Sequence, residues 1–207
     1  FRSLMNSVIV VGCSCFFNCV IASMAAYGFE KKHFWGKEFL FKVYMLTLMI
    51  PGQVTMIPVF IIMKKLGLLN TYFALVVIIL NAFGVFLIRQ FMESVPDELL
   101  EAAKVDGCPE YKIFINIVIP LIKPVLVSLV VFTFVTSWND FMWPLVSTTD
   151  SSMYTLTVAL SLLKTQYQTN YGLILAGATV SFIFPFILYA FLQKQFVEGI
   201  ALSGVKG

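Results

Sequence analysis

Charge is scarce in this chain. Asp, Glu, Lys and Arg make up only 12% of its 207 residues, against 59% hydrophobic residues that include 21 Phe and 9 Met. That leaves too little polar surface for a domain facing water on all sides. There is one histidine, His33; it sits in a charged loop with no ligand or nucleophile beside it, so a metal centre or covalent catalysis has no footing. Of the four cysteines, Cys13, Cys15 and Cys19 fall inside the first apolar run and Cys108 stands alone, which is neither a disulfide framework nor a zinc site. No Gly-rich phosphate loop ending in Lys-Ser or Lys-Thr occurs, so nucleotide chemistry has to come from a partner and no cofactor is required. The net charge is only +3 and the basic residues are dispersed, which removes nucleic acid as a partner. Neither the inverted repeats nor the buried carboxylate pair of a stand-alone secondary transporter is present.

What the chain does have is apolar length. Mean hydropathy is +0.91, and several apolar runs reach about 20 residues, enough for an α-helix to cross the hydrocarbon core. The expected fold class is therefore all-α, a polytopic membrane protein. Five spans are predicted, at Leu4 to Phe29, Val43 to Met63, Tyr72 to Phe91, Val125 to Val146 and Gly172 to Leu192. If the loop carrying Lys31, Lys32, Lys37 and Lys42 is cytoplasmic, ten basic residues lie inside and only Arg2, Lys64, Lys65 and Lys164 lie outside, the positive-inside pattern. That orientation puts Phe1 outside, and at least one further span is expected upstream.

Polar groups within spans are costly and face the bundle interior. Asn18, Gln53, Asn81, Thr133, Thr136 and Ser137 are candidates for a translocation path, with Asn81 foremost; hydrogen bonding between helices is the alternative for each. In "MIPGQVTMIPVF", Pro51 and Pro58 each remove a backbone donor and Gly52 loosens the helix between them, which predicts a kink or an unwound turn near Gln53. Trp138 and Trp143, with Asn139 and Asp140, are expected at the headgroup boundary, Asp140 hydrated or capping a short helix. The apolar patch "YTLTVALSLL" is too short to span.

The middle of the chain runs against this pattern. Seven charged residues fall between Asp97 and Lys112; at bilayer depth they would cost on the order of 20 kcal/mol, so the loop lies in water. It still reads as structured. Pro96, Asp97 and Glu98 open a helix that Gly107 ends, and Pro109 and Glu110 open a second. Leu99, Ala102, Ala103 and Asp106 fall three or four positions apart and share one face of that first helix, suited to close approach by a partner.

The same residues resemble the permease signature of binding-protein-dependent ABC importers: EAA, three residues, Gly, nine residues, Ile, one residue, then Leu-Pro. Here they are Glu101, Ala102, Ala103, Gly107, Ile117 and Pro120, with Ile119 in the Leu place. "LGLLNTYFAL", "SWNDFMWPL" and "FVEGIALSGVKG" resemble the smaller permease of carbohydrate importers of the maltose-transporter type, so the likeness extends over nearly the whole chain. It implies a type I importer permease fold in a bacterial or archaeal cell membrane, a single transmembrane domain with a cytoplasmic coupling loop at 92–123 and a cytoplasmic tail at 193–207. It also implies partners: a pair of cytosolic ATP-binding subunits, a second permease, an extracytoplasmic solute-binding protein and a carbohydrate substrate, the chain itself being no enzyme. On this likeness Glu101 pairs with a basic ATPase residue, Ala102 and Ala103 allow close packing, Gly107 makes the turn, and Leu99 and Asp106 complete the face. The tail reaches the ATPase dimer, and Lys164 to Asn170 dock the solute-binding protein. A permease of the same superfamily for a non-sugar solute is the alternative.

Overall fold

The computed structural model describes residues 1–166 and 171–204, and among them every regular element is helical. The first helix, α1 (Arg2–Lys31), shows what solvent the chain is built for. Asn6, Val10, Ser14, Asn18, Ala22 and Ala26 recur every four residues and are all buried, joined by Ser7 and Ser23, whereas Phe16, Phe17, Ile21 and Met24 are exposed. The polar and small stripe faces protein and the large apolar groups face outward, the reverse of a helix in water.

Two compact units are formed from interleaved segments. The first takes Phe1–Cys15, Pro51–Ile79 and Val131–Lys194, and includes α3 (Gly52–Lys65), α4 (Tyr72–Val77), α10 (Met142–Ser147), α11 (Leu156–Gln166) and most of α12 (Tyr171–Gly204). Its core gathers Val10, Met63, Ala74, Leu75, Val76 and Trp143. Helix α3 closes at Gly67, φ +67°, where Leu68 N–H donates to the Met63 carbonyl (2.9 Å) and Gly67 N–H to that of Lys64 (3.1 Å), the paired bonds of a Schellman cap. Three residues on, the Asn70 side chain accepts from the amides of Thr149 and Asp150 (2.7 and 3.0 Å) and clamps two loops together. Asn6 uses its whole amide: Nδ2 donates to the carbonyls of Ser152 and Tyr154, and Oδ1 accepts from the Tyr72 hydroxyl.

The second unit takes Phe16–Ile50, Leu80–Val130 and the end of α12 from Gln195. It holds α2 (Lys37–Leu46), α5 (Ala82–Met92), α6 (Asp97–Val105), α7 (Glu110–Ile113), a π-helical turn over Phe114–Val118, α8 (Ile119–Leu121) and the start of α9 (Lys123–Asn139). Ala22, Ala26, Val85, Ile88, Met92, Leu100, Ala103, Ile113, Ile122 and Leu129 form one core. Gly84 of α5 is its tightest point: a Cβ there would stand 3.1 Å from Ala22 Cβ and 3.2 Å from both Asn18 Oδ1 and Leu129 Cδ1, so the missing side chain lets neighbouring backbones approach as small residues do in membrane bundles. Every residue of α2 is at least partly exposed, and the helix is fastened by Arg89, which pairs with Glu30 (2.9 Å) and Glu38 (3.0 Å) and lies 3.8 Å over the Phe41 ring.

The expected spans are only partly matched. Among the described residues, by length and composition, α1 and Ile174–Phe191 of α12 can each cross a membrane, and two broken pairs, Lys37–Met49 with Gly52–Lys65 and Glu110–Leu121 with Lys123–Asn139, raise the number to as many as four. The third predicted span splits because Thr71 caps α4 and Asn81 caps α5, its Oδ1 accepting from Phe83 N–H (3.0 Å). The second breaks near Gln53, as expected: Ile50, placed before a proline, is extended, Pro51 stands at the start of α3, and Pro58 is absorbed inside that helix. Gly84→Leu is expected to destabilise the protein by about 1–3 kcal/mol through overpacking; scanning fluorimetry in detergent should show a lowered midpoint that Gly12→Leu, whose Cβ meets nothing within 4 Å, does not reproduce.

Candidate functional site

The charged loop folds as two short helices set at a glycine turn. Pro96 precedes α6 in extended geometry, and Asp97 and Glu98 fill its first turn beside the N-terminal amides. At the other end Gly107 has φ +78°, its N–H donates to the Lys104 carbonyl (3.0 Å) and Cys108 N–H to that of Ala103 (2.9 Å). This is a second Schellman cap. A residue with a Cβ in that left-handed conformation carries about 1–2 kcal/mol of strain.

Helix α6 has two faces. Leu100 and Ala103 are buried, 4% and 7% exposed, and belong to the core of their unit. Leu99, Glu101, Ala102, Val105 and Asp106 are exposed, Val105 to 87%. Ala103 therefore leaves the outward face to which its spacing assigned it: it lies at the edge of the stripe nearest Leu100, and the core claims it. Val105, whose apolar side chain stands clear on the outward face, was not among the expected residues; its spacing of three from Ala102 was the available signal.

Both loop helices are tied to the end of α1. Lys31, with a side chain only 5% exposed, donates to the Val95 carbonyl and to Asp97 Oδ1, each at 2.7 Å. Lys32 and the Tyr27 hydroxyl both donate to Glu110 Oε1, and the Lys32 ammonium also sits 5.0 Å from the Tyr27 ring centroid. The first residue of each loop helix thus meets one of two consecutive lysines. After α7 the chain takes a π turn, Ile119 N–H donating to the Phe114 carbonyl, before Pro120, which has no N–H to give.

The path candidates are scattered. Gln53, Asn81 and Thr136 are exposed, and Asn81 serves as a helix cap. Asn18, Thr133 and Ser137 are buried, the Ser137 hydroxyl without a hydrogen-bond partner among the described residues. Trp138 and Trp143, expected at a membrane boundary, are instead 3% exposed. Their indole N–H groups find backbone carbonyls, that of half-buried Ser181 at 3.1 Å and that of buried Ala74 at 2.8 Å, and Trp138 stacks between Phe134 and Phe184. Asp140 helps start α10 by accepting from Trp143 N–H (3.4 Å). Of the expected docking stretch, Lys164 to Gln166 end α11 and 167–170 lie outside the described residues, as do 205–207 of the tail.

The Lys31 hydrogen bond holds the Asp97 carboxyl below its ordinary value of 3.8, and Lys32, then Tyr27, hold that of Glu110 below 4.5. Each binds its proton less readily folded than unfolded, so its contribution is complete above those ordinary values and is lost as pH falls through the lowered ones. Hydrogen exchange over residues 95–113, corrected for intrinsic rate, should show steady protection from neutral pH down to about 5 and a decline below about 4; protection that stays level across that range would contradict the assignment of the ties.

A family model described as "Binding-protein-dependent transport system inner membrane component" matches residues 19–201. The Arabinooligosaccharides transport system permease protein AraQ of Halalkalibacterium halodurans is 38% identical over 207 residues, covering 100% of this chain and 73% of that protein. The Lactose transport system permease protein LacG of Rhizobium radiobacter is 35% identical over 97% of this chain and 74% of its own length. Among solved structures, a chain of a bacterial ABC transporter involved in the import of the acidic polysaccharide alginate superposes with a TM-score of 0.73 at 23% identity, over 99% of this chain and 75% of that one, a likeness of fold. With apolar helices fit to cross a bilayer and a family model covering most of its length, the chain belongs to the inner membrane components of binding-protein-dependent transport systems.

Proposed function

We propose that the chain is a permease subunit of an ATP-driven carbohydrate importer, and that the loop from Asp97 to Ile113 couples it to a cytosolic ATPase. The substrate class is supported by relatives named for arabinooligosaccharides and lactose. The observation that carries the coupling role is the outward face of α6. It is a short helix closed by a Schellman cap, whose inward side is packed and whose outward side offers Leu99, Ala102 and Val105 flanked by Glu101 and Asp106. Small and apolar groups at the centre of such a face allow close packing, and a carboxylate at its edge finds a cation on a basic partner.

On this reading a second permease completes the pathway and the chain crosses the membrane several times with the loop and C-terminus in the cytoplasm, the orientation favoured by the ten-to-four bias of basic residues. A solute-binding protein delivers the sugar from the other side. The chain does no covalent chemistry: closure of the ATPase dimer moves the loop, and the helices behind it follow. Exposed polar groups such as Gln53, Asn81 and Thr136 are the ones available to line a hydrated path.

Glu101→Ala should weaken the hold on the ATPase by about 2–5 kcal/mol, because a cation on the partner is left unpaired. Gly107→Pro should break the Schellman cap, whose first bond needs the Gly107 N–H and whose backbone needs a positive φ. Both variants should still insert in the membrane yet lose co-purification with the ATPase or sugar uptake; full assembly and normal uptake in both would refute the coupling role.

A further inference from the structure

Beside the chain's link to α5 and the core that Leu100 and Ala103 share with α1, α5 and α9, movement of the loop can reach the membrane helices by two further routes. One follows the chain through α7, the π turn, α8 and the bend at Ile122 into α9. That route is interrupted: the π turn and the break before Lys123 interpose two departures from regular helix, and such sites yield under load. The other route is through side chains into α1, which is unbroken for 30 residues and so about 45 Å long.

Four features make the second route the stiffer one. Asp97 and Glu110 are the first residues of α6 and α7, so each carboxylate is held where its helix begins. Lys31 and Lys32 are consecutive at the end of α1, so both ties converge on one helical terminus. The Lys31 side chain is almost wholly enclosed and spans two acceptors, the Val95 carbonyl and Asp97, on either side of Pro96. Tyr27, one turn earlier on α1, meets the same Glu110 oxygen as Lys32 and braces that tie from a second direction.

We propose that Lys31 and Lys32 are positioning residues that lock the loop to α1 and make α1 the lever on which ATPase movement acts. This rests on the coupling role argued above. The ties lie on the side of the loop away from Leu99, Ala102 and Val105, so loss of a tie leaves the docking face itself untouched while uncoupling what the face does from what the membrane helices do.

The test uses the assembled transporter reconstituted in lipid vesicles, comparing sugar transported per ATP hydrolysed. Lys31→Met and Lys32→Glu should keep assembly and basal ATP hydrolysis but lower that ratio at least about fivefold, the lower end of the usual range for coupling between sites. Lys31→Arg should restore it, as should the reversed pair Lys32→Glu with Glu110→Lys; because those two side chains are 33% and 47% exposed, folding is not at stake there. Independently of these variants, the distance between spin labels at Lys104, exposed on α6 and outside the docking face, and Met24, in a background without native cysteines, should stay constant through the ATP cycle. A parental ratio in both Lys31→Met and Lys32→Glu, or a label distance that changes with nucleotide, would overturn the lever. A parent chain that neither assembles with an ATPase nor transports sugar would instead overturn the coupling role itself.

Discussion

Hydrocarbon is a solvent that offers no hydrogen bonds, and the folding of this chain follows from that fact. A polar side chain on a lipid-facing surface is left without a partner, at a cost of several kcal/mol, whereas Phe or Ile loses little by facing lipid. Helix α1 is sorted accordingly. Asn6, Ser7, Ser14, Asn18 and Ser23 are turned inward and Phe16, Phe17, Ile21 and Met24 outward. Because lipid supplies no hydrophobic drive for helices to associate, close contact comes from small residues and from polar pairs. Gly84 against Ala22 and Asn18, and Asn6 shared among Tyr72, Ser152 and Tyr154, are the two forms of that contact in this protein.

The same constraint drives ionised groups to the ends of helices, and there the backbone sorts them by sign. The last turn of α1 carries the negative end of its dipole and holds Lys31; the first turns of α6 and α7 carry positive ends and hold Asp97 and Glu110. Each ion pair therefore satisfies two helix termini as well as two side chains. Isolated surface pairs contribute about 0–1 kcal/mol, and the Lys32 to Glu110 tie is of that exposed kind. The Lys31 tie differs, since that side chain is only 5% exposed and a buried charge left without its partner is costly.

What could be read from residues alone divides along the same line. The membrane class, the helical content and the two-helix loop around Gly107 were legible because they rest on local chemistry: apolar length, charge density, a proline followed by an acid, and a glycine where φ turns positive. Asn81 shows where local reading stops. Surrounded by apolar neighbours it read as deep within one span, yet its side chain is worth more as a cap that starts α5, and the expected span divides there. Trp138 and Trp143 misled for a related reason. An indole suits a boundary because it has one polar atom, but a backbone carbonyl satisfies that atom equally well, and only tertiary packing reveals that one is present. Ala103 shows the limit of periodicity: helical spacing defines a stripe, while which edge of it is covered depends on Leu100 and a core drawn from α1, α5 and α9.

The division of α6 into two faces separates the residues that hold the loop in place from those it leaves exposed. Leu100 and Ala103 are committed to the core, and Lys31 grips the start of the helix, so the backbone position is set from one side only. The opposite side, Leu99, Ala102, Val105 and the flanking acids, contributes little to the fold of this chain and remains available for recognition. Gly107 ends the helix just past Val105, the last residue of the outward set. The nine residues of α6, closed by its Schellman cap, thus divide between packing inward and exposure outward.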